Sequence, residues 1–435
     1  MNFSKQQLII FGGIVVVIML FVFILAGILP GSKNNATNPA SINGTLNVWV
    51  YNEDPLSYSN IISAFNSTYP NVKIKIKPFT DYNVYKQSLL EAMATGGAPD
   101  VFMIPSTELP AYLNKIIPAS QTTFTPLNVS QYFPGVVGQD FVSGGYVYGL
   151  PLSVDTLSLI YNKDLFAKAG VVFPPATWQD FLSDIPTLTS VSPSGDITQS
   201  AAAIGTSASN IDDAPDILSL LMLQTGTQIT DKTSGTASFD SSTGINAINF
   251  YTEFADPKNK YYTWNSNMPD SLDAFAQNKV AMILDYESSL SAIKAKNNFL
   301  NYGVSPMPEP ASSTVFVSYP KYFGYVVSRQ SKMSSLAWTF IIDMTTVSQN
   351  ADSYVKATGE PPALLTLINS YSGDPNLSVF VKQELYARSW YGPSRDQINQ
   401  AFSNMIDAIN SKKTDVGTAV RQAKDQVTSI LANPL

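Results

Sequence analysis

Residues 149–181 read GLPLSVDTLSLIYNKDLFAKAGVVFPPATWQDF, and the order of residue types in them decides the fold. Leu157 to Tyr161 is a short apolar run of the kind that fills a buried strand. Asn162 to Lys168 then predicts a short helix stopped by Gly170, since glycine enters the left-handed conformation at a helix end without steric cost. Pro174-Pro175 is a rigid connector. Thr177 and Asp180 have capping-box spacing for a further helix that carries Trp178 and Phe181. Strand, helix, stiff turn and helix in so short a space mark an α/β chain.

The same alternation extends upstream. Leu46, Val48 and Val50 start a strand, Ile61, Ile62 and Phe65 fall at helical spacing, and Val72 to Lys77 alternates like a half-exposed strand. Val84, Leu89 and Met93 predict a helix ending at Gly96-Gly97, followed by the buried-type strand Asp100 to Ile104. This βαβαβ order predicts a parallel sheet. Ser143-Gly144-Gly145 reads as the turn of a hairpin. Downstream, helices are expected over Ile217 to Gln224, Ile245 to Phe254, Leu272 to Asn278, Leu290 to Lys296 and Ser335 to Thr346, with strands over Val280 to Leu284 and Tyr322 to Val327. Loops are expected around 192–200 and 231–243, a breaker at Gly359 to Pro362, and helices through the last sixty residues.

Among 435 residues there is no cysteine and no histidine. Disulfides, thiolate nucleophiles, Cys/His zinc sites and Ser-His-Asp triads are therefore excluded. Charged residues make up only 14%, so the exterior is largely neutral and polar, which fits an extracytoplasmic address. Lys+Arg 26 against Asp+Glu 33 gives a net charge of −7, and the arginines are Arg329, Arg388, Arg395 and Arg421 alone, so no nucleic-acid partner is expected. Only oxygen ligands remain for a metal, and Asp212-Asp213 with Asp216 lacks calcium-loop spacing; neither metal nor cofactor is expected.

Leu8 to Leu29 contains no charged side chain and is long enough to cross a hydrocarbon core about 30 Å thick. With Lys5 on the short side, it predicts a single-pass anchor, residues 1–30, that leaves the folded part outside the cell membrane. A long signal peptide cut near Gly31 is the alternative. Leu25-Ala26-Gly27-Ile28 is similar to a bacterial lipobox but has Ile28 where the lipidated cysteine would stand. Residues 31–44, rich in Asn, Ser and Pro, read as a flexible linker, with order beginning at Thr45.

The 149–181 stretch resembles the family 1 extracellular solute-binding proteins of ABC importers, the maltose-binding-protein-like group. That family shows G-x-P, a strand, Tyr-Asn-Lys-Asp-Leu-Phe, Ala-Gly, Pro-Pro and Thr-Trp in this order. Gly97-Ala-Pro-Asp100-Val-Phe, Phe275 to Met282, Ser331-Lys332 with Ala337-Trp338-Thr-Phe340, and Gly359 to Pro362 match further family marks. The resemblance implies an α/β periplasmic-binding-protein-like fold of two lobes, each a mainly parallel sheet flanked by helices. Lobe 1 would be 45–153 plus 320–360 and lobe 2 156–317 plus 363–435, with crossings near Ser153 to Thr156, Val317 to Lys321 and Glu360 to Ala363. It implies a monomeric, cofactor-free receptor that closes on a small polar solute, a mono- or oligosaccharide, for ABC permease subunits in the membrane.

Tyr51, Asn52, Glu53 and Asp54 lie past the carboxyl end of the first strand, where open α/β sheets bind ligands, and Ser106 and Thr107 end the third strand on the same edge. Ser153 and Asp155 follow Gly149-Leu-Pro151, where the chain resembles the family's first crossing and a polar or acidic ligand contact is implied. Asp285 and Tyr286 stand where many members have Gly-x-Trp, a departure that weakens the tryptophan platform. Tyr322 and Tyr325 lie by the second crossing, and Trp390 and Tyr391 resemble an aromatic pair from the C-terminal helices; such rings could stack on sugar faces. Trp49 and Trp178 are assigned to the core. A surface glycosidase using paired carboxylates such as Glu53 and Asp155, and a sensor or scaffold ectodomain, are the competing readings.

Overall fold

The computed structural model describes residues 38–433. The expected 8–29 anchor lies outside the described residues, among which no helix is long and apolar enough to cross a membrane. The chain divides into two units. In the smaller, described over 38–45 and 65–73, Pro39–Ser41 forms a 3-10 turn capped by Asn38, and Asn71 Nδ2 donates to Ala40 O at 2.8 Å. The expected linker therefore carries one ordered turn before residue 45. The larger unit, 46–64 and 74–433, contains the chemistry of interest.

One sheet orders its strands 72–79, 44–51, 101–105, 323–328 and 116–117, with 149–150 also paired to 323–328. The opening strand, Gly44–Tyr51, runs parallel to Val101–Pro105 with Val48 opposite Val101, as the βαβαβ order predicts. Val101 to Ile104 are buried on both faces, which explains their unbroken apolar run. The second sheet orders 190–191, 197–202, 280–285, 158–162 and 302–305. Among its strands, 197–202 and 280–285 are parallel, with Ser200 opposite Val280.

The expectation of mainly parallel sheets is corrected: both are mixed. Phe323–Ser328 runs antiparallel to Val101–Pro105, and Ser158–Asn162 runs antiparallel to both of its neighbours. Parallel pairing requires a long crossover, usually a helix, whereas these two strands arrive directly from the other sheet and enter in the opposite sense.

Local signals in 149–181 act as their chemistry predicts. Asn162 Oδ1 accepts the N–H groups of Asp164 and Leu165 at the start of the Lys163–Ala169 helix, and Gly170 ends it in the left-handed region (φ 74°). Thr177 and Asp180 form both bonds of the capping box. Gly149 and Gly324 flank Phe141, whose ring lies where their Cβ atoms would be, 2.6 and 2.3 Å away, so any side chain at either position would displace the ring.

Two expectations change. The loop expected around 192–200 overlaps a real strand, Ile197–Ala202. Its Thr, Gln and Ser residues hide the pattern, and pairing with Val280–Asp285 and the Thr263 hydroxyl, which accepts the Ala201 N–H at 2.9 Å, holds it in place. Trp49 is half-buried rather than core, with Lys77 Nζ 4.1 Å above its ring, while Trp178 is buried and donates through Nε1 to Gln224 at 2.8 Å.

Three segments connect the sheets and lie side by side. Asp155–Thr156 pairs with Pro320–Lys321, Leu157 N donates to Tyr319 O at 2.9 Å, and Val154 N donates to Pro361 O at 3.2 Å. Ala363 N closes the set on Leu152 O at 3.0 Å. Gln383 braces them: its buried Nε2 donates to Leu157 O at 3.1 Å and Ser158 Oγ at 2.5 Å, and its Oε1 accepts the Met307 N–H at 3.0 Å.

Candidate functional site

The three crossings form the floor of a cleft of about 400 Å³. Tyr51, Asn52 and Glu53 enter it from the end of the opening strand, Ser153 and Asp155 from the first crossing, Asp285 from the end of its strand, and Tyr322 and Tyr325 from beside the second crossing. Asn52 adopts φ 55°, a left-handed conformation that asparagine tolerates better than most residues, and this turns Glu53 inward. Its N–H is fixed by Phe79 O at 2.7 Å. Asp54 does not reach the cleft; its Oδ1 accepts the Leu56 N–H at 2.9 Å and caps the Pro55–Tyr58 turn.

Glu53 is surrounded by phenols. Tyr354 Oη lies 2.5 Å from Glu53 Oε1 and 3.0 Å from Glu360 Oε2, and behind it the Tyr58 and Tyr325 hydroxyls bond to each other. Burial, with the Glu360 carboxyl beside it, pushes Glu53 up to about 8. Burial raises Glu360 as well, opposed by hydrogen bonds from Ser153 and Tyr354. The Tyr354 hydroxyl has one proton to donate between the two carboxyl groups and favours their charged forms, but burial outweighs it and raises both.

The Asp155 carboxylate is committed to the main chain. Oδ1 accepts the N–H groups of Thr156 at 2.8 Å and Glu287 at 3.0 Å, and Oδ2 accepts that of Ser288 at 3.0 Å. Burial nevertheless raises it to about 6. Asp155 thus fixes the turn after Val280–Asp285 against the first crossing. Tyr286 turns away into the core, and its hydroxyl donates to Asp216 Oδ2 at 2.8 Å. The position that resembles the family's platform is therefore filled by a core ring here.

Ser106, Thr107, Trp390 and Tyr391 are brought together elsewhere, around a second hollow of about 240 Å³ that also receives Gln139 and Asp140. Tyr322 stands between the two spaces, donating to Asp140 Oδ2 at 2.7 Å. Burial lifts the Asp140 carboxyl to about 7 against the hydroxyls of Ser389 and Tyr322. Two larger hollows, about 550 Å³ each, open around Glu253 and Lys412 and around Trp178 and Phe250; neither is lined by a residue expected from the sequence to contact a ligand.

Sequence reasoning missed Glu360, Tyr354, Lys321, Phe323 and Asp213 as cleft residues. Glu360 and Lys321 sit in segments that the resemblance implied to be crossings, and a charged residue there was the available signal. Tyr354, inside the Ser348–Thr358 helix, offered none. Lys321 Nζ pairs with Asp213 Oδ1 at 2.8 Å. Among the described residues no group of three or more acidic side chains is placed to hold a metal ion.

Two sheets joined by three adjacent crossings, with polar residues from each crossing facing one cleft, define a two-lobed solute receptor. The chain belongs to the bacterial extracellular solute-binding protein family, whose model matches residues 51–351. This is a family of binding proteins, not enzymes. The maltodextrin-binding protein MdxE of Bacillus subtilis (strain 168) is 23% identical over 421 residues, 91% of this chain and 93% of that protein. A protein of Brucella abortus (strain 2308) with a provisional binding-protein name is 24% identical over 263 residues, so the match spans only 59% of that relative and 58% of this chain. In fold, the chain is similar to the sugar-binding protein MalE from Xanthomonas citri: TM-score 0.75 at 19% identity, covering 89% of this chain and 98% of the other.

Proposed function

We propose that this protein is a membrane-tethered, monomeric receptor that captures a carbohydrate in the 400 Å³ cleft and presents it to an ABC permease by cleft closure. The observation that carries this reading is the cleft floor itself. Asp155, Lys321 and Glu360 come from three different crossings, so a solute bonded there touches the segments that must bend when the lobes close. Lobe 1 is taken as 45–153 plus 320–360 and lobe 2 as 156–317 plus 363–435. Residues 8–29 supply the anchor. Carboxylates, amides and hydroxyls suit sugar hydroxyls, and the rings of Tyr51 and Phe323, 5.4 Å apart between centroids, offer an apolar face to a pyranose. The maltodextrin- and sugar-binding names of the relatives support the same solute class.

The test is thermal unfolding of the full chain in mild detergent against mono- and oligosaccharides, polyols, amino acids and divalent ions. A ligand at one hundred times its Kd adds about 2.7 kcal/mol, raising the melting temperature by a few degrees. A sugar that does so and is recovered unchanged supports the receptor. A panel with no active sugar removes the carbohydrate assignment.

A further inference from the structure

The cleft and the smaller hollow are parted by a single wall. Tyr322 lines the cleft and Asp140 lines the hollow, and the Tyr322 hydroxyl joins them at 2.7 Å. The other Asp140 oxygen accepts the Ser389 hydroxyl. Ser389 is held in turn by Gln139, whose Nε2 donates to its carbonyl at 2.6 Å. Ser106 N donates to Tyr322 O at 3.0 Å and fixes the main chain behind the ring. The wall thus draws on three distant pieces of chain: the Gly135–Phe141 helix before the first crossing, Tyr322 after the second, and Ser389 after the third. Both oxygens of the half-buried Asp140 carboxylate are used in closing it.

Beyond the wall, the hollow has the makings of a further sugar position: the half-buried Tyr391 for a ring face, with the edge of the buried Trp390 beside it, and the Thr107 hydroxyl for a hydrogen bond. The Tyr322–Asp140–Ser389 bonds join the lining of the cleft to the lining of the hollow, so a linear chain running from one to the other across this boundary meets them. We propose that this three-residue wall sets the length of solute the receptor accepts: it confines a short saccharide to the cleft and refuses one long enough to reach Trp390 and Tyr391. The inference rests on the carbohydrate reading above and adds a length rule to it. Tyr322, Asp140 and Ser389 are its specificity determinants, acting by occupying the passage.

Isothermal titration of the full chain in mild detergent with the di-, tri- and tetrasaccharides of an α-1,4-glucose and a β-1,4-galactose series tests it. In whichever series binds, the wild-type Kd rises at least tenfold from disaccharide to tetrasaccharide. The combined Asp140→Ala, Ser389→Ala variant brings the tetrasaccharide within threefold of the disaccharide. Tyr322→Phe, which keeps the ring and loses the bond to Asp140, gives an intermediate profile. Should the double variant not fold, as its melting curve would show, Ser389→Ala alone and Tyr322→Phe carry the comparison. A wild-type profile that is flat or favours the tetrasaccharide, or variants with an unchanged profile, overturns the length rule and leaves the receptor reading intact. Failure of the wild type to bind either series at any length overturns the carbohydrate reading, and the length rule falls with it.

Discussion

The carboxyl groups of Glu53 and Glu360 meet on one hydroxyl, Tyr354 Oη, at 2.5 and 3.0 Å, although more than three hundred positions separate them in the chain. Glu53 lies just past the opening strand, which ends at Tyr51, and Glu360 opens the third crossing, so this contact ties the carboxyl end of that strand to a connecting segment.

Burial of Glu53 beside Glu360 makes stability fall with rising pH. Burial raises Glu53 in the folded state to about 8 from an unfolded value of 4.5. A group raised on folding contributes stability fully below its unfolded pKa, and the contribution is lost as pH climbs through the folded one. The wild-type melting temperature therefore declines between pH 5 and 9, and Glu53→Gln, neutral throughout, flattens that decline. Equal slopes for the two proteins would contradict the assignment.

Asp155 bonds three main-chain N–H groups, so its loss is structural before it is chemical. Asp155→Ala should cost about 2–4 kcal/mol in urea unfolding because buried donors lose their acceptor, with Asp155→Asn costing less. An alanine variant as stable as the wild type would show that the Glu287–Ser288 turn does not depend on this carboxylate.

Tyr286→Phe removes the hydroxyl bonded to Asp216 but leaves the core ring in place. About 1–2 kcal/mol of stability should be lost, with solute affinity unchanged. A large loss of affinity at unchanged stability, measured by titration and melting together, would place Tyr286 at the ligand after all.

Gln383 is the buried brace behind the first crossing. Gln383→Ala strands several polar groups and opens a void, so a loss of about 3–5 kcal/mol is expected in denaturant titration. A change under about 1 kcal/mol would mean that the crossings hold together without it.

A resemblance to family motifs, rather than any local pattern, pointed to the crossings and to Ser153, Asp155, Asp285 and Tyr322; the amino-acid sequence by itself determined the α/β alternation, the caps at Asn162, Thr177 and Gly170, and the place of Tyr51 to Glu53 at a strand end. These are written locally: apolar periodicity, cap spacing, and turns at strand ends depend on residues within a few positions of one another. Tertiary structure alone decided the rest. It made both sheets mixed, because strand sense depends on where a crossing delivers the chain. It turned Tyr286 into the core and set Trp390 and Tyr391 in a separate hollow behind Tyr322 and Asp140, because which face a ring presents depends on its partners. It also gathered Glu53 and Glu360 around the one hydroxyl of Tyr354. Burial and long-range pairing have no local signature, so no window of sequence could have shown them.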